Sequence, residues 1–122
     1  MNKHENLKDR TKSFALRIIR LCSALPKKTE AQILARQIFR SGTSVGAQFR
    51  ESLRAKSDAD LINKLEGCLQ ELEETQYWLE LIMDCDFLNA KRVTPLYNES
   101  NELMAIFVSS VKRIKSRYSR KA

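Results

Sequence analysis

Between Leu61 and Ile82 the series Leu61, Leu65, Cys68, Leu72, Thr75, Leu79 and Ile82 advances by four and three residues without interruption. That period belongs to a helix packed along a seam, and no alternating strand can reproduce it. A second row, Ile62, Leu69, Gln76 and Met83, repeats every seven residues beside the first, so this face is wide enough for two neighbouring helices. Tyr77, Trp78 and Leu81 fall on the remaining faces. Rings left outside a bundle seam are expected to lie at a subunit interface.

The rest of the chain follows the same period. Leu7, Phe14, Ile18, Leu21, Cys22 and Leu25 draw a stripe along a first helix over about 8–25, which Pro26 stops. Thr29 followed by Gln32 reads as a capping box for a second helix over about 29–55, whose stripe is Leu34, Ile38, Val45, Phe49 and Leu53. Its centre, Ser41 to Ala47, is rich in small residues, and Gly42 and Gly46 on one face permit close approach of another helix. Ser57 with Asp60 caps a third helix over 57–86. Either Asn89 or Thr94 caps a fourth; with Pro95 placed in its first turn it spans 94–117. The expected fold is all-α, an antiparallel up-down-up-down four-helix bundle forming one domain over 1–122.

Composition agrees with a helical domain: 43% hydrophobic and 30% charged residues, with only three Gly and two Pro, disfavour disorder and most β-sandwiches. The net charge of +7 favours polyanionic partners. Its distribution is uneven. Residues 1–56 carry 13 basic and 4 acidic side chains, residues 57–90 carry 1 and 9, and residues 91–122 carry 8 and 2. Unlike blocks of this kind can meet within one chain or between copies. Three cysteines, Cys22, Cys68 and Cys85, make neither a disulfide framework nor a C-x-x-C pair, which fits a reducing cytoplasm. No signal-peptide core or membrane-length apolar run occurs, so a cytoplasmic, non-membrane protein is expected.

Two cationic groups are the candidate nucleic-acid-binding residues: Arg10, Lys12, Arg17 and Arg20 in the first helix, and Lys112, Arg113, Lys115, Arg117, Arg120 and Lys121 at the end of the fourth. The alternative for the second group is a solubilising helix end whose cations complement the helix dipole. Arg40, Ser44, Gln48 and Glu51 share one face of the second helix, and Glu71, Thr75 and Trp78 one face of the third. These read as a polar core network fixing helix register, with Arg40 neutralising a carboxylate, in preference to a ligand pocket, because small residues alongside are expected to close the gap. Glu66, Glu71, Glu73, Glu74 and Glu80 lack the Glu-x-x-His partners of a bundle metal site, and the only histidine is His4. Neither a metal, a cofactor nor an enzymatic nucleophile is therefore expected.

The run from Arg40 to Glu51 (RSGTSVGAQFRE), Ser57-Asp58-Ala59-Asp60, and Glu71, Glu74, Thr75 with Tyr77 to Leu81 (YWLEL) together resemble a bacterial family of four-helix bundle proteins. That family is encoded in intervening sequences of large-subunit ribosomal RNA genes and was once mislabelled as ribosomal. It is related to an accessory protein of diversity-generating retroelements. The likeness covers roughly residues 10 to 118, with Gln48 where the family usually has Asn and Phe49 where it has a branched apolar residue. The resemblance implies a homo-oligomeric ring of five subunits without enzymatic activity, and a role in binding RNA, DNA or a partner protein.

Overall fold

The structure, a computed structural model, describes residues 7–121, apart from the side chains of Tyr118, Arg120 and Lys121. Four helices follow in order: α1 (Leu7–Ala24), α2 (Thr29–Ser52), α3 (Asp58–Asp84) and α4 (Ala90–Lys121). No strand occurs among the described residues. Each helix packs on its sequence neighbours, α2 against both α1 and α3, and α3 against α4; α1 and α4 close the bundle along a much shorter seam. Short connections force this antiparallel order, because four or five residues cannot carry the chain back along a helix.

The core is built mainly from the stripes of the first three helices, with Val93, Leu103 and Phe107 added by α4. Phe14, Ile18, Ile38, Val45, Cys68, Leu72, Leu79, Ile82, Val93, Leu103 and Phe107 are wholly removed from solvent. Phe49 and Phe107 meet edge-to-face across the bundle, with ring centroids 5.9 Å apart, a geometry that aligns ring edge with ring face. Leu53 departs from its expected place: α2 stops at Ser52, and Leu53 lies 61% exposed in the turn that follows.

Gly42 and Gly46 set the spacing of α1 and α2. A Cβ on Gly42 would stand 2.6 Å from Ile18 Cγ1, and one on Gly46 would stand 3.2 Å from Thr11 Oγ1. The glycines' cost in helix propensity is therefore offset by close packing of Ile18 and Thr11. Buried hydroxyls are satisfied locally, as where Thr11 Oγ1 donates to the Leu7 carbonyl at 2.8 Å and Thr75 Oγ1 donates to Ser41 Oγ at 2.8 Å.

Helix ends differ from expectation in instructive ways. Thr29 is the first residue of α2, not its cap; Lys28 takes the cap position without a side-chain bond, and Gln32 Nε2 reaches past Thr29 to the Pro26 carbonyl at 2.9 Å. The Ser57 cap forms, accepting from the Asp60 N–H at 3.0 Å, while Asp60 accepts from the Lys56 N–H at 3.1 Å. α3 ends in a Schellman motif: Asp86 sits at φ 57°, its N–H donates to the Met83 carbonyl, and the Phe87 N–H donates to the Ile82 carbonyl at 3.1 Å.

α4 begins at Ala90, a full turn before the 94 start. Asn89 Oδ1 caps it, accepting from the Lys91 N–H at 2.8 Å. The extra turn buries Val93 completely, and that gain outweighs placing Pro95 inside the helix, where its missing N–H leaves only the carbonyl of exposed Lys91 unmatched.

Candidate polyanion-binding surface

A cation held by a carboxylate of its own chain offers little to a phosphate, so the surface is defined by which cations are already engaged. Arg10 is engaged. Its Nε and Nη2 donate to Glu99 at 3.1 and 2.7 Å, and Nη2 also approaches Glu102 at 3.5 Å. With both Arg10 and Glu99 side chains only 18% exposed, this two-pronged pair fastens α1 to α4. The Glu99 hydrogen bond, ahead of the opposing cost of burial, pushes the Arg10 pKa further above its usual value.

Two cations of the terminal basic run are also committed. Lys115 pairs with Glu66 at 3.5 Å and Arg117 with Asp58 at 2.8 Å, both across the α3–α4 interface. Arg113 also has an interaction within the protein. Lys112 remains exposed without an ion pair, and the side chains of Arg120 and Lys121 lie outside the described residues, as does His4. The acidic block of the sequence thus meets the basic block of α4 within one chain.

The second polar group divides in two. Glu71, 13% exposed, accepts from Arg40 Nη1 at 3.3 Å and from Gln48 Nε2 at 3.2 Å, while Arg40 Nη2 reaches Glu74 at 2.6 Å. Thr75 joins this α2–α3 group through the Glu71 carbonyl and Ser41. Ser44 and Glu51 do not join it: Ser44 Oγ donates to the Arg40 carbonyl of its own helix, and Glu51 pairs with Lys64 at 3.1 Å, an ion pair that raises the Lys64 pKa. Arg40 itself is half exposed, so this network runs along the rim and not through the core. Small residues do not seal the α2–α3 face. Gln48, Glu51, Asn63, Lys64, Glu66, Gly67 and Gln70 line a polar cavity of about 540 Å³, with the Gln48 amide lying over Gly67 where a Cβ would otherwise project.

Lys12, Arg17 and Arg20 of α1 form no ion pair among the described residues, and neither do Arg36, Arg50 and Arg92. Lys12 and Arg50 border one groove between α1 and α2, about 310 Å³ in volume, floored by Ala15, Thr43, Gly46 and Ala47. Among the described residues no carboxylate lines it. The groove exists because Ala15 and Ala47 are short and Gly46 draws the two helices together. Sequence reasoning overlooked Arg36, Arg50 and Arg92. A signal was present for two of them: Arg36, Thr43, Ala47 and Arg50 advance by seven, four and three, which traces one exposed face of α2.

Tyr77 is 54% exposed, while Trp78 and Leu81 are half-buried. The Tyr77 and Trp78 rings lie 5.2 Å apart, and Trp78 Nε1–H is shielded from solvent without an acceptor among the described residues. Burial pushes the Cys22 thiol up to about 11 and the Cys68 thiol up to about 12, so neither is a nucleophile near neutrality. Among the described residues no group of three His, Cys, Asp or Glu side chains is placed to hold a metal ion, and no helix is long and apolar enough to cross a membrane.

Together these features define a small antiparallel four-helix bundle whose carboxylates are carried mainly by α3 and α4 and whose helical cations without an ion pair among the described residues lie mostly on α1 and α2. The chain belongs to the 23S rRNA-intervening sequence protein family, whose model matches residues 4–109. It is similar to a protein of unknown function from the S23 ribosomal protein family of Bacteroides thetaiotaomicron VPI-5482, solved by crystallography at 1.70 Å. The two share 39% sequence identity with a TM-score of 0.82, over 87% of this chain and 98% of that one. No curated protein matches this chain.

Proposed function

We propose that this chain is a non-enzymatic helical-bundle protein that binds RNA or DNA through the phosphate backbone, using the α1–α2 face. The observation that carries the reading is the groove between Lys12 and Arg50, which among the described residues is bordered by cations without an ion pair and by no carboxylate. Its floor of Ala, Gly and Thr lets a phosphate backbone approach the helices closely. Contacts of this kind position a strand without reading its bases, so binding is weakly sequence-selective. Assembly into a homo-oligomer, five subunits in a ring on the family resemblance, repeats the groove and multiplies weak contacts.

Fluorescence anisotropy with a labelled single strand and a duplex, repeated across salt concentrations, tests this directly. Affinity is expected to fall linearly on logarithmic axes, by about 0.9 per phosphate contact on duplex DNA. Lys12→Glu with Arg50→Glu should reduce affinity by roughly 100-fold, on the scale of two lost charge-assisted contacts. Lys115→Glu with Arg117→Glu should change it far less. Equal losses from the two pairs, or no binding at low salt, would remove the α1–α2 face from consideration.

A second reading, a scaffold that recruits a partner protein, is favoured by a different observation: Ile33 is 46%, Phe39 45% and Tyr77 54% exposed. Large side chains of this kind anchor protein interfaces. A protein partner retained at high salt, and lost on Phe39→Ser or Tyr77→Ser, would support it over nucleic-acid binding.

A further inference from the structure

The seam between α1 and α4 holds two arginines of α1 in very different circumstances. Arg10 takes the carboxylates of Glu99 and Glu102. Arg17, two turns along and only partly exposed, takes none. It lines a cleft with Arg20 and with Arg92 from the first turn of α4, over a floor of Leu21 and Leu96, each 3% exposed. The cleft measures about 130 Å³, and among the described residues no carboxylate borders it. Three arginines thus border one apolar-floored cleft, a concentration of like charge that an anion would offset. The first turn of α4 makes matters worse, for it contains no acidic residue and instead carries Lys91 and Arg92 at the positive end of the helix dipole.

We infer that this cleft is a binding site for a single phosphoryl group, the dianionic end of a phosphate monoester. Arginine forks match phosphate oxygens two at a time, and three of them converging can satisfy one tetrahedral dianion. The volume fits that group and lies well below the roughly 300 Å³ at which pockets for drug-sized ligands begin. The same chemistry is presented by a free nucleotide and by the 5′-phosphate end of a nucleic acid strand. This site is separate from the Lys12–Arg50 groove and does not rest on that groove's function.

The test is a titration of the full chain with inorganic phosphate at constant ionic strength, followed by the side-chain Nε–H resonances of the arginines, with sodium chloride as control. Saturable shifts confined to Arg17, Arg20 and Arg92 are expected with phosphate and absent with chloride. Arg92→Gln, and separately the exposed Arg20→Gln, should each weaken binding about tenfold, the scale of one charge-assisted hydrogen bond, whereas Arg36→Gln, which removes the same charge elsewhere, should leave it within twofold. Melting temperature read in parallel should rise with phosphate in the parent and rise less at the same phosphate concentration in Arg92→Gln. Unsaturable shifts spread over all arginines, or equal losses from Arg36→Gln and Arg92→Gln, would overturn the proposal. Once a site is established, a 5′-phosphorylated oligonucleotide is compared with its 5′-hydroxyl form and with adenosine monophosphate. Preference for the phosphorylated strand over the nucleotide identifies a strand end as the source, and equal affinity identifies a free phosphomonoester. Loss of strand binding in the Lys12 and Arg50 variants leaves the inorganic phosphate result untouched, so the two proposals fail separately.

Discussion

The cations of α1 and α2 and those of the α4 terminus are alike in the sequence and unlike in the folded molecule. Both are dense in Lys and Arg, but Lys115 and Arg117 face Glu66 and Asp58 across a helix interface, while Lys12 and Arg50 face each other across a groove with no acid. The difference arises from bundle order. α4 and α2 both pack on α3, the acidic helix, where Lys115, Arg117 and Arg40 find their carboxylates, whereas among the described residues α1 does not pack on α3 and only its Arg10 reaches carboxylates, those of α4. Net charge therefore overstates what is available to a polyanion, and the position of the acidic helix decides which cations remain free.

The contrast breaks most severely if α1 and α2 are forced apart. Gly42→Val should cost about 3 kcal/mol, within the range for overpacked cores, because even a Cβ meets Ile18; urea denaturation measures it, and the groove should lose polyanion affinity together with stability. Arg10→Ala comes next. Removing one member of a partly buried, two-pronged pair should cost about 2 kcal/mol, with strand affinity little altered, since Arg10 is already engaged. A loss of affinity without a loss of stability would place Arg10 among the free cations instead.

The sharpest test of the comparison liberates the α4 cations. Asp58→Asn with Glu66→Gln should raise affinity for a labelled strand by roughly tenfold at low salt and steepen its salt dependence by up to about two contacts. No change would mean that the α4 terminus does not reach the strand at all. The smallest effect lies at the α3–α4 turn. Asp86 adopts φ 57°, a region glycine enters without a Cβ penalty, so Asp86→Gly should stabilise the fold by about 0.5 kcal/mol in thermal unfolding. Strand affinity should not move.

Much of this architecture was legible in the residues. The four-three step of α3 placed seven residues along the seam, of which Leu65, Cys68, Leu72, Thr75, Leu79 and Ile82 are buried and Leu61, near the helix start, is half-buried, because seam periodicity depends on helix geometry. Gly42 and Gly46 likewise announced close approach, although which helix they would meet is a matter of topology. The start of α4 was harder. Pro95 invited a first-turn placement, whereas burial of Val93 one turn earlier decides the matter, and that is a tertiary effect.

The functional surface was the least legible part. Charge density in the sequence picked out Arg10, Lys115 and Arg117, yet pairing occurs between residues 49 to 92 positions apart and no local pattern reveals it. Arg17 and Arg20 stood out with them, but their meeting with Arg92 depends on α1 and α4 lying side by side. The same holds for Glu51 and Ser44, which share a helix face with Arg40 and Gln48 and still take different partners.

The short α1–α4 seam carries a further consequence for how the molecule opens. A rod docked along one flank and clipped at the other by a single guanidinium fork is the part that hydrogen–deuterium exchange should find swinging away first, α1 exchanging faster than α2 or α3. Local breathing of that kind would uncover Leu21 and Leu96 without melting the remaining three rods, and an anion lodged between Arg17 and Arg92 would act as a latch against it.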